Sequence, residues 1–302
     1  HIAADNDRIV LGESKSIEAI KSYSLELVAL TNIIKENKKI AHDRIAKTEL
    51  NNRVLMTERL IEREFDKALE EATWYYNGDK HSNITISALA SQFANYIYSA
   101  SPVVANELVN RTKPSGSANA AIKKLILAMA ENYAEQDLGF PEDTFPSEKG
   151  LYYSCIKQFG LHNEVDGEFQ FSEPTNAELK ALFDKTHKEL ILNSHSVVWL
   201  SDIDKFWASR PYGLTKGIRT IWLMAFVLVH LRDYAFYDKN EATGEVIFIT
   251  EPDDEFALKL FQKPQNVAVQ AVQTDQEKTV YLTLVANALD EVNDTPEHYS
   301  KE

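Results

Sequence analysis

The segment from Phe206 to Ile249 constrains the fold of this 302-residue chain more than any other. Its centre is a predicted helix from about Thr215 to Arg232, which has almost no polar face between Ile218 and Leu231. A helix that is apolar all round is buried in a large core or spans a membrane. The unbroken apolar run is roughly half of the ~20 residues that a bilayer requires, so we expect this helix in a globular core.

The elements around this helix follow the order of a winged helix. A turn at Arg210–Gly213 precedes it, and two β-type segments, Tyr234–Tyr237 and Glu245–Ile249, follow it. A winged helix that reads DNA bases would carry Arg, Lys, Asn or Gln on the outer turns of this helix. Only Lys216 and Arg219 qualify, and both lie in the first turn. The pattern predicts a winged-helix-like unit with few base contacts.

Composition limits the possible functions. The chain is 44% hydrophobic and 26% charged, which predicts a globular protein with two or three subdomains. Its net charge of −14 argues against phosphate-backbone binding by the chain as a whole. One cysteine, Cys155, excludes an intrachain disulfide and fits a reducing cytoplasm, and the short apolar run of the central helix predicts no membrane association. The chain begins at His1 without an initiator Met, and we expect it to be a fragment of something longer.

Residues 1–80 are predicted to form an N-terminal helical hairpin. Neither Pro nor Gly occurs between Ser14 and Gly78, and apolar residues recur at spacings of three, four and seven, as in a helical seam. The predicted seam consists of Ile17, Ile20, Leu27, Ile34, Leu50, Val54, Ile61, Phe65, Ala68 and Ala72. Two helices joined near Lys35–Lys39 would pack along this seam, with a coiled coil that binds a partner as the alternative.

The rest of the chain is predicted to be mainly α. Residues 81–162 form a helical domain, residues 163–195 an acidic linker and a helix, and residues 196–302 the winged-helix-like α+β unit with an acidic tail from Asp290. The predicted helices are Ile86–Tyr98, a short helix after Pro102, Ala118–Tyr133 with Ser117 as N-cap, Gly150–Phe159, Asn176–Leu192 and Asp253–Phe261. Asn266–Val272 is a predicted strand, and Lys278–Ala288 fits a strand or a helix.

No catalytic constellation is apparent in the sequence. The nearest approach to a phosphate-binding P-loop is Gly116 with Lys123, which lacks the second glycine and the spacing. The eight histidines have no metal-ligand spacing, and Cys155 near His162 fits a buried structural cysteine better than a nucleophile. We therefore predict no catalytic residue, metal or cofactor in this chain, and neither tight ATP binding nor ATP hydrolysis by it.

One basic locus is a candidate for phosphate binding. Arg111 and Lys113 lie in a loop before a predicted helix start, and Lys123 and Lys124 follow within two turns of that helix. Free backbone N–H groups at a helix start favour anions. The alternative is that Arg111 pairs with a nearby carboxylate and that the lysines flank a core helix. Together with Lys216 and Arg219, these cations are the candidate phosphate or DNA contacts.

Two blocks of the sequence resemble the BrxC/PglY-like ATPases, very large P-loop proteins of BREX phage exclusion and related anti-phage systems. The first block reads SPVVANELVNR at Ser101–Arg111, followed by a Ser-rich turn, an Ala-rich helix, Leu138-Gly139 and a Pro-x-Glu-Lys-x-x-Tyr segment at Pro146–Tyr152. The second reads RPYGLTKG at Arg210–Gly217, followed by the apolar helix and RDYAFY at Arg232–Tyr237. Together the blocks cover roughly half of the chain.

This resemblance implies that the chain is a non-catalytic fragment from the region that follows the ATPase core, in a protein that acts on DNA in anti-phage defence. ATP and Mg²⁺ are implied only for the longer parent protein, because this chain has no Walker motifs. Thr215 stands where the family pattern has Lys, which weakens a basic patch there. The implied partners are other defence-system subunits, a second copy, or DNA bound weakly without sequence preference. The rival interpretation is a helical scaffold or adaptor with protein partners only.

Overall fold

The computed structural model describes residues 8–14, 17–37, 43–192, 194 and 196–272. The chain divides into two compact units, one up to Ser99 and the other from Ala100 onward. The predicted element at Lys278–Ala288 and the acidic tail from Asp290 lie outside the described residues.

The first unit consists of a two-helix hairpin, a three-stranded sheet and a third helix. Its elements are β1 Leu11–Glu13, α1 Ile17–Glu36, α2 Arg44–Glu70, β2 Thr73–Tyr76, β3 Asp79–His81 and α3 Ile86–Ile97. Helices α1 and α2 pack against each other along their length. Asp43 begins α2 because its Oδ1 accepts hydrogen bonds from the N–H groups of Ile45 at 2.9 Å and Ala46 at 3.0 Å. The predicted hairpin of helices therefore forms.

Two details of that prediction are wrong. The helix was expected to reach Asn77, but α2 ends at Glu70 and β2 pairs with β1, Trp74 lying opposite Gly12. Thr and aromatic residues favour strands once a partner strand is present. In the seam, Ala68 and Ala72 are buried as predicted, whereas Ile17 is 57% and Phe65 51% exposed.

The second unit holds the main core and two antiparallel sheets. Its helices are α4 Glu107–Asn110, α5 Gly116–Glu131, α6 Ser147–Cys155, α7 Ala177–Thr186, α8 Leu200–Ala208, α9 Lys216–Val229 and α10 Asp254–Gln262. Its strands are β4 His162–Val165, β5 Glu168–Phe171, β6 Val198–Trp199, β7 Tyr234–Lys239, β8 Val246–Ile249 and β9 Val267–Ala271. Short 3₁₀ turns lie at Gln136–Gly139, Lys157–Phe159 and Pro264–Asn266, and a π-helical turn at His187–Leu192 extends α7.

The region 163–173, which was predicted to be an acidic linker, is instead most of a β-hairpin. Strands β4 and β5 pair around Asp166 and Gly167, whose φ angles of 55° and 89° are those of a tight hairpin turn. Asp-Gly is a strong hairpin signal, but the acidic composition obscured it. A smaller correction concerns α5, which begins two residues earlier than expected. Its N-cap is Ser115, whose Oγ accepts from the N–H of Ala118 at 3.2 Å, and not Ser117.

Strands β6, β9, β7 and β8 form a four-stranded antiparallel sheet in that order. The predicted two-stranded ribbon is therefore confirmed as β7 and β8, and the predicted last strand, β9, lies in the centre beside β7. The mainly α fold with small antiparallel sheets is confirmed. Among the described residues, no helix combines the length and the apolar character needed to cross a bilayer.

Helix α9 is the centre of the core, as its sequence predicts. Helices α4, α5, α6, α8 and α10 all contact it. Trp222 and Phe226 are fully buried, and the indole N–H of Trp222 donates to the carbonyl oxygen of Cys155 at 2.8 Å. Phe183 packs edge-on against Phe226 at 5.1 Å between ring centroids. Beyond its first turn, α9 therefore has no exposed row of side chains that could contact DNA bases.

Two histidines are buried in this core. His162 hydrogen-bonds the hydroxyl of Tyr152 at 2.9 Å and the carbonyl oxygen of Tyr133 at 2.8 Å. The Nδ1 atom of His230 lies 3.2 Å from Asp233 Oδ2, and the His230 ring stacks on the ring of His187. Burial lowers the pKa of both His162 and His230 below the ordinary histidine value, because a buried imidazolium loses its hydration.

We predict that replacing Trp222 or Phe226 by Ala costs about 3–5 kcal/mol of unfolding free energy, because each leaves a large cavity. Urea unfolding of the purified chain measures the loss. Lys216→Ala on the exposed first turn of α9 is the control, with a change within about 0.5 kcal/mol. A loss under about 1 kcal/mol for both aromatic variants would contradict the central position of α9.

We also predict that the protein loses stability as the pH falls below about 6.5. In that range the unfolded chain binds protons at His162 and His230 while the folded chain does not, so the unfolding free energy decreases by up to about 1.4 kcal/mol per pH unit for each histidine. Denaturant unfolding at pH 8 to 5, with NMR titration of the imidazole protons, measures this. Midpoints at or above 6.5 for the two folded-state histidines would contradict it.

Candidate phosphate-binding surface

The loop that carries Arg111 and Lys113 is fixed by two asparagines of α4. Asn106 caps the helix, its Oδ1 accepting from the N–H of Leu108 at 2.9 Å, and its Nδ2 donates to Ser154 Oγ at 2.8 Å. Asn110 Nδ2 donates to the carbonyl oxygen of Val104 at 2.7 Å. The side chains of both asparagines in the ANELVNR stretch therefore fix the backbone of this loop. Arg111, the next residue, is exposed.

Three helices meet beside this loop, at the start of α9. The Thr215 hydroxyl donates to the carbonyl oxygen of Val109 in α4. Gly217 allows the close approach: a Cβ there would lie 3.0 Å from Val109 Cα and 3.3 Å from the Ile122 side chain of α5. The two basic loci that the sequence placed a hundred residues apart are thus neighbours in the fold.

Four of the six predicted cations remain unpaired at this junction. Arg111, Lys113 and Lys216 are exposed and Lys123 is half-buried, and none of them has an ion pair with another described residue. Arg111 lies two residues after Val109, Lys123 one after Ile122 and Lys216 one after Thr215. We call these four residues the cationic surface. Within the described ranges no carboxylate forms an ion pair with Arg111, as the alternative would require.

The other two predicted cations are engaged in the fold. Lys124 Nζ lies 3.0 Å from Glu148 Oε1 at the start of α6. Arg219 forms a bidentate ion pair with Asp204 of α8, with Nε 2.7 Å from Oδ1 and Nη2 3.1 Å from Oδ2. The Arg219 side chain is only 14% exposed. A paired guanidinium that is only 14% exposed is a poor phosphate contact, whereas Lys124 is 65% exposed and its surface ion pair leaves it accessible, so the phosphate contact of Lys124 stays a prediction.

Helix α9 begins without a side-chain cap, since the Thr215 hydroxyl is turned toward Val109. The first N–H groups of a helix have no intrahelical acceptor, and the helix dipole adds partial positive charge to them. An oxyanion is the natural ligand of such a start when cations stand beside it. Such an arrangement would suit phosphate groups held as point charges, without contacts to bases.

Other reactive side chains in the second unit have structural roles. Burial raises the pKa of Cys155 to about 12, so its thiol is not a nucleophile at neutral pH. His187, His230 and Tyr234 form a stacked cluster that sequence reasoning missed, because 43 residues separate the two histidines and no local spacing signals the contact. In the part of the chain that the structure describes, no three metal-ligating side chains converge.

A cleft of about 620 Å³ lies between the end of α9, strand β5 and the segment Thr250–Asp253. Its walls mix apolar side chains such as Phe171 and Leu228 with Arg232 and several carboxylates. No nucleophile and base are paired in it, which leaves the cationic surface as the better-defined binding feature.

Comparisons with known protein families, with curated proteins and with solved structures find no match to this chain.

Proposed function

We propose that this chain is a non-catalytic, helical and winged-helix-like portion of a large anti-phage ATPase, and that it contacts nucleic-acid phosphates through its cationic surface. The observation that carries the proposal is that the segments of Arg111, Lys123 and Lys216 contact one another, and that these cations and Lys113 have no ion pair with a described residue, in a chain of net charge −14. Unpaired cations grouped at one junction of an acidic protein favour a ligand with negative charge.

The mode of binding follows from the burial of α9. Bases are read by side chains that enter a groove, and here only the first turn of α9 is accessible. Contact is therefore limited to phosphates and carries no sequence information. About four phosphate contacts correspond to a slope of log K against log salt of about −3 to −4 on duplex DNA.

The winged-helix-like description is supported by element order. Helix α7, strand β6, helices α8 and α9, and strands β7 and β8 follow one another as in that architecture. Strand β9 pairs with both β6 and β7 in the centre of the sheet, where it is an addition to the pattern. The unit would then serve as a scaffold that presents the first turn of α9.

The place in an anti-phage ATPase is supported by the resemblance to BrxC/PglY-like proteins. The residues of the first block that carry it include Asn106 and Asn110, and these side chains shape the loop before Arg111. ATP binding and hydrolysis would come from another part of the parent protein. The residues of this chain would supply binding and orientation.

We predict that Arg111→Gln, Lys113→Gln, Lys123→Gln and Lys216→Gln together weaken duplex DNA binding at least tenfold and reduce the salt slope by about three to four. Fluorescence anisotropy with a labelled random-sequence 30-base-pair duplex, at salt concentrations between about 50 and 200 mM, measures both. The unfolding free energy should change little, because these side chains make no ion pair with a described residue.

The matched control removes the same number of positive charges elsewhere in the second unit, with Lys180→Gln, Lys188→Gln, Lys205→Gln and Arg232→Gln. It should retain most of the binding and most of the slope. Equal losses in the two quadruple variants would show that only net charge matters, and no DNA binding by the original chain would overturn the proposal.

A second candidate function is that of a scaffold that binds protein partners. The exposed apolar residues of helix α1 favour it. None of its 20 residues is buried, although the helix is rich in apolar residues. Leu25 is 64%, Val28 57% and Ile33 44% exposed, on the side away from the packed residues Leu27 and Ile34. Apolar side chains grouped on one exposed helix face are typical of an interface.

This candidate predicts that the purified chain self-associates through α1, and that Leu25→Glu with Val28→Glu lowers its association constant at least tenfold. Sedimentation velocity over a range of concentrations measures this. The control Thr31→Glu with Asn32→Glu adds the same charge at exposed polar positions of α1. A chain that remains monomeric at every concentration, or a control that behaves as the test variant does, would count against self-association.

A further inference from the structure

An aromatic ring is open to solvent on the loop before α6. Phe145 is 70% exposed, and Val103, shortly before α4, is 80% exposed. Among the described residues of the second unit, these are the two most exposed large apolar side chains. A single exposed apolar residue needs no explanation by itself. Phe145 differs from such a residue because the fold holds its ring in a fixed position.

Three contacts with α6 fix the Phe145 ring. The ring stacks on Tyr153, with 5.8 Å between ring centroids and 12° between the planes. Lys149 Nζ lies 5.6 Å from the centroid of the Phe145 ring. Gly150 lies beside the ring, since a Cβ there would be 3.6 Å from Phe145 Cε1. Lys149 and Tyr153 are one turn apart on α6, so they lie on the same side of the ring and leave its other face to solvent.

The two side chains behind the ring are themselves fixed. Lys149 is 4% exposed, and its Nζ donates to the carbonyl oxygens of Pro141 and Thr144, which holds the loop against α6. The hydroxyl of Tyr153 donates to Asp137 Oδ2 at 2.6 Å. A ring that is fixed before binding loses little conformational entropy when a flat ligand stacks on it.

We propose that Phe145 stacks on a base of a single nucleic-acid strand whose neighbouring phosphates contact the cationic surface. This inference rests on the proposed function and specifies the ligand as a single strand. Every base has a π-face, so stacking on an aromatic side chain binds a single strand without sequence preference. In a duplex the faces of the bases are covered by their neighbours, and a protein reaches only phosphates, sugars and groove edges.

One hydrogen bond joins the platform of Phe145 to the loop of the cationic surface. Asn106, which caps α4, donates to Ser154 Oγ at 2.8 Å, and Ser154 lies one turn from Gly150 on the same face of α6. Arg111 follows directly after α4. The path along one turn of α6 and the length of α4 is on the order of 15 Å. About four nucleotides cover that distance at 3.4 Å per phosphate.

An ion pair joins the same loop to α5. Lys124 Nζ lies 3.0 Å from Oε1 of Glu148, three residues after Phe145, and the Lys124 side chain is 65% exposed. A surface ion pair of this kind contributes little, so the amino group of Lys124 can also contact a phosphate. Lys123 of the cationic surface is the preceding residue. Cations of α4 and α5 therefore lie on two sides of the loop that carries the ring.

Two carboxylates in the loop oppose a polyanion. Glu142 and Asp143 are exposed, and neither forms an ion pair with another described residue. Their charge favours the rival ligand, a basic peptide segment whose Arg or Lys packs on the face of Phe145. The cations on both sides of the loop favour the nucleic acid. The two ligands respond in opposite directions to the loss of these carboxylates, so mutation can distinguish them.

Fluorescence anisotropy with labelled oligo(dT) of about 20 nucleotides and with the duplex tests the stacking. Phe145→Ala should weaken binding to the single strand at least about fivefold and leave duplex binding unchanged, because it removes a stack and no charge. Phe145→Leu keeps an apolar side chain without a π-face and should lose nearly as much. The control Phe248→Ala removes an exposed ring from β8 and should change neither affinity. Equal losses on both ligands, or no loss on the single strand, overturn the proposal.

A strand without bases separates stacking from phosphate binding. The original chain should bind an abasic oligonucleotide of the same length as weakly as the Phe145→Ala variant binds oligo(dT), and Phe145→Ala should not weaken this further. A loss of abasic binding in Phe145→Ala contradicts a stack on a base.

Removal of the loop carboxylates tests the choice of ligand. Glu142→Gln with Asp143→Asn should strengthen binding to oligo(dT) at least about twofold, because two charges that repel the phosphates are lost. Weaker binding by this variant would assign the ring to a basic partner and overturn the proposal.

The failure of the stacking and the failure of the proposed function give different results. If the quadruple variant of the cationic surface weakens binding to oligo(dT) and Phe145→Ala does not, the stacking is wrong and the cationic surface is supported. If the original chain binds neither the single strand nor the duplex, the proposed function is wrong and the stacking is wrong with it.

Discussion

The burial of α9 on every side is the constraint on which the second unit depends. A helix with no polar face cannot lie on a surface, so α4, α5, α6, α8 and α10 must surround it. The approach is closest at Gly217, where any side chain would press on the backbone of Val109. This packing brings the segment that carries Lys216 against the segment that carries Arg111. The cationic surface thus follows from how the core closes around the start of α9.

Much of the local structure was readable from the sequence, except for two short β-hairpins, and the non-local pairing was not. Helix α9, the β7–β8 ribbon and α10 follow from apolar runs, turn residues and an Asp N-cap within a short window. Strand β2 was missed although it forms a local hairpin with β3 through Asn77-Gly78, a turn that the sequence displays; its other partner, β1, lies about sixty residues earlier. Aromatic residues such as Trp74 and Tyr75 suit a helix or a strand, and pairing decides between them.

The sequence names the six candidate cations, because basic residues near helix starts are visible in it, but it does not show which of them form ion pairs. Lys124 and Arg219 pair with Glu148 and Asp204, carboxylates on other helices. The partner of a charge depends on tertiary packing, so sequence alone cannot tell an available cation from one that holds two helices together.

Electrostatics also limits what the cationic surface can do. A chain of net charge −14 repels a polyanion at distances beyond the Debye length, about 8 Å at physiological salt, whereas four cations attract it only at contact. Long-range steering would therefore oppose association, and the chain alone is poorly suited to searching DNA. Contact becomes favourable when another part of an assembly already holds the duplex nearby, because tethering raises the effective concentration without new contacts. If the cationic surface binds phosphates as we propose, a weak site without sequence preference in an acidic chain would be most useful in a protein that acts as one part of a larger complex.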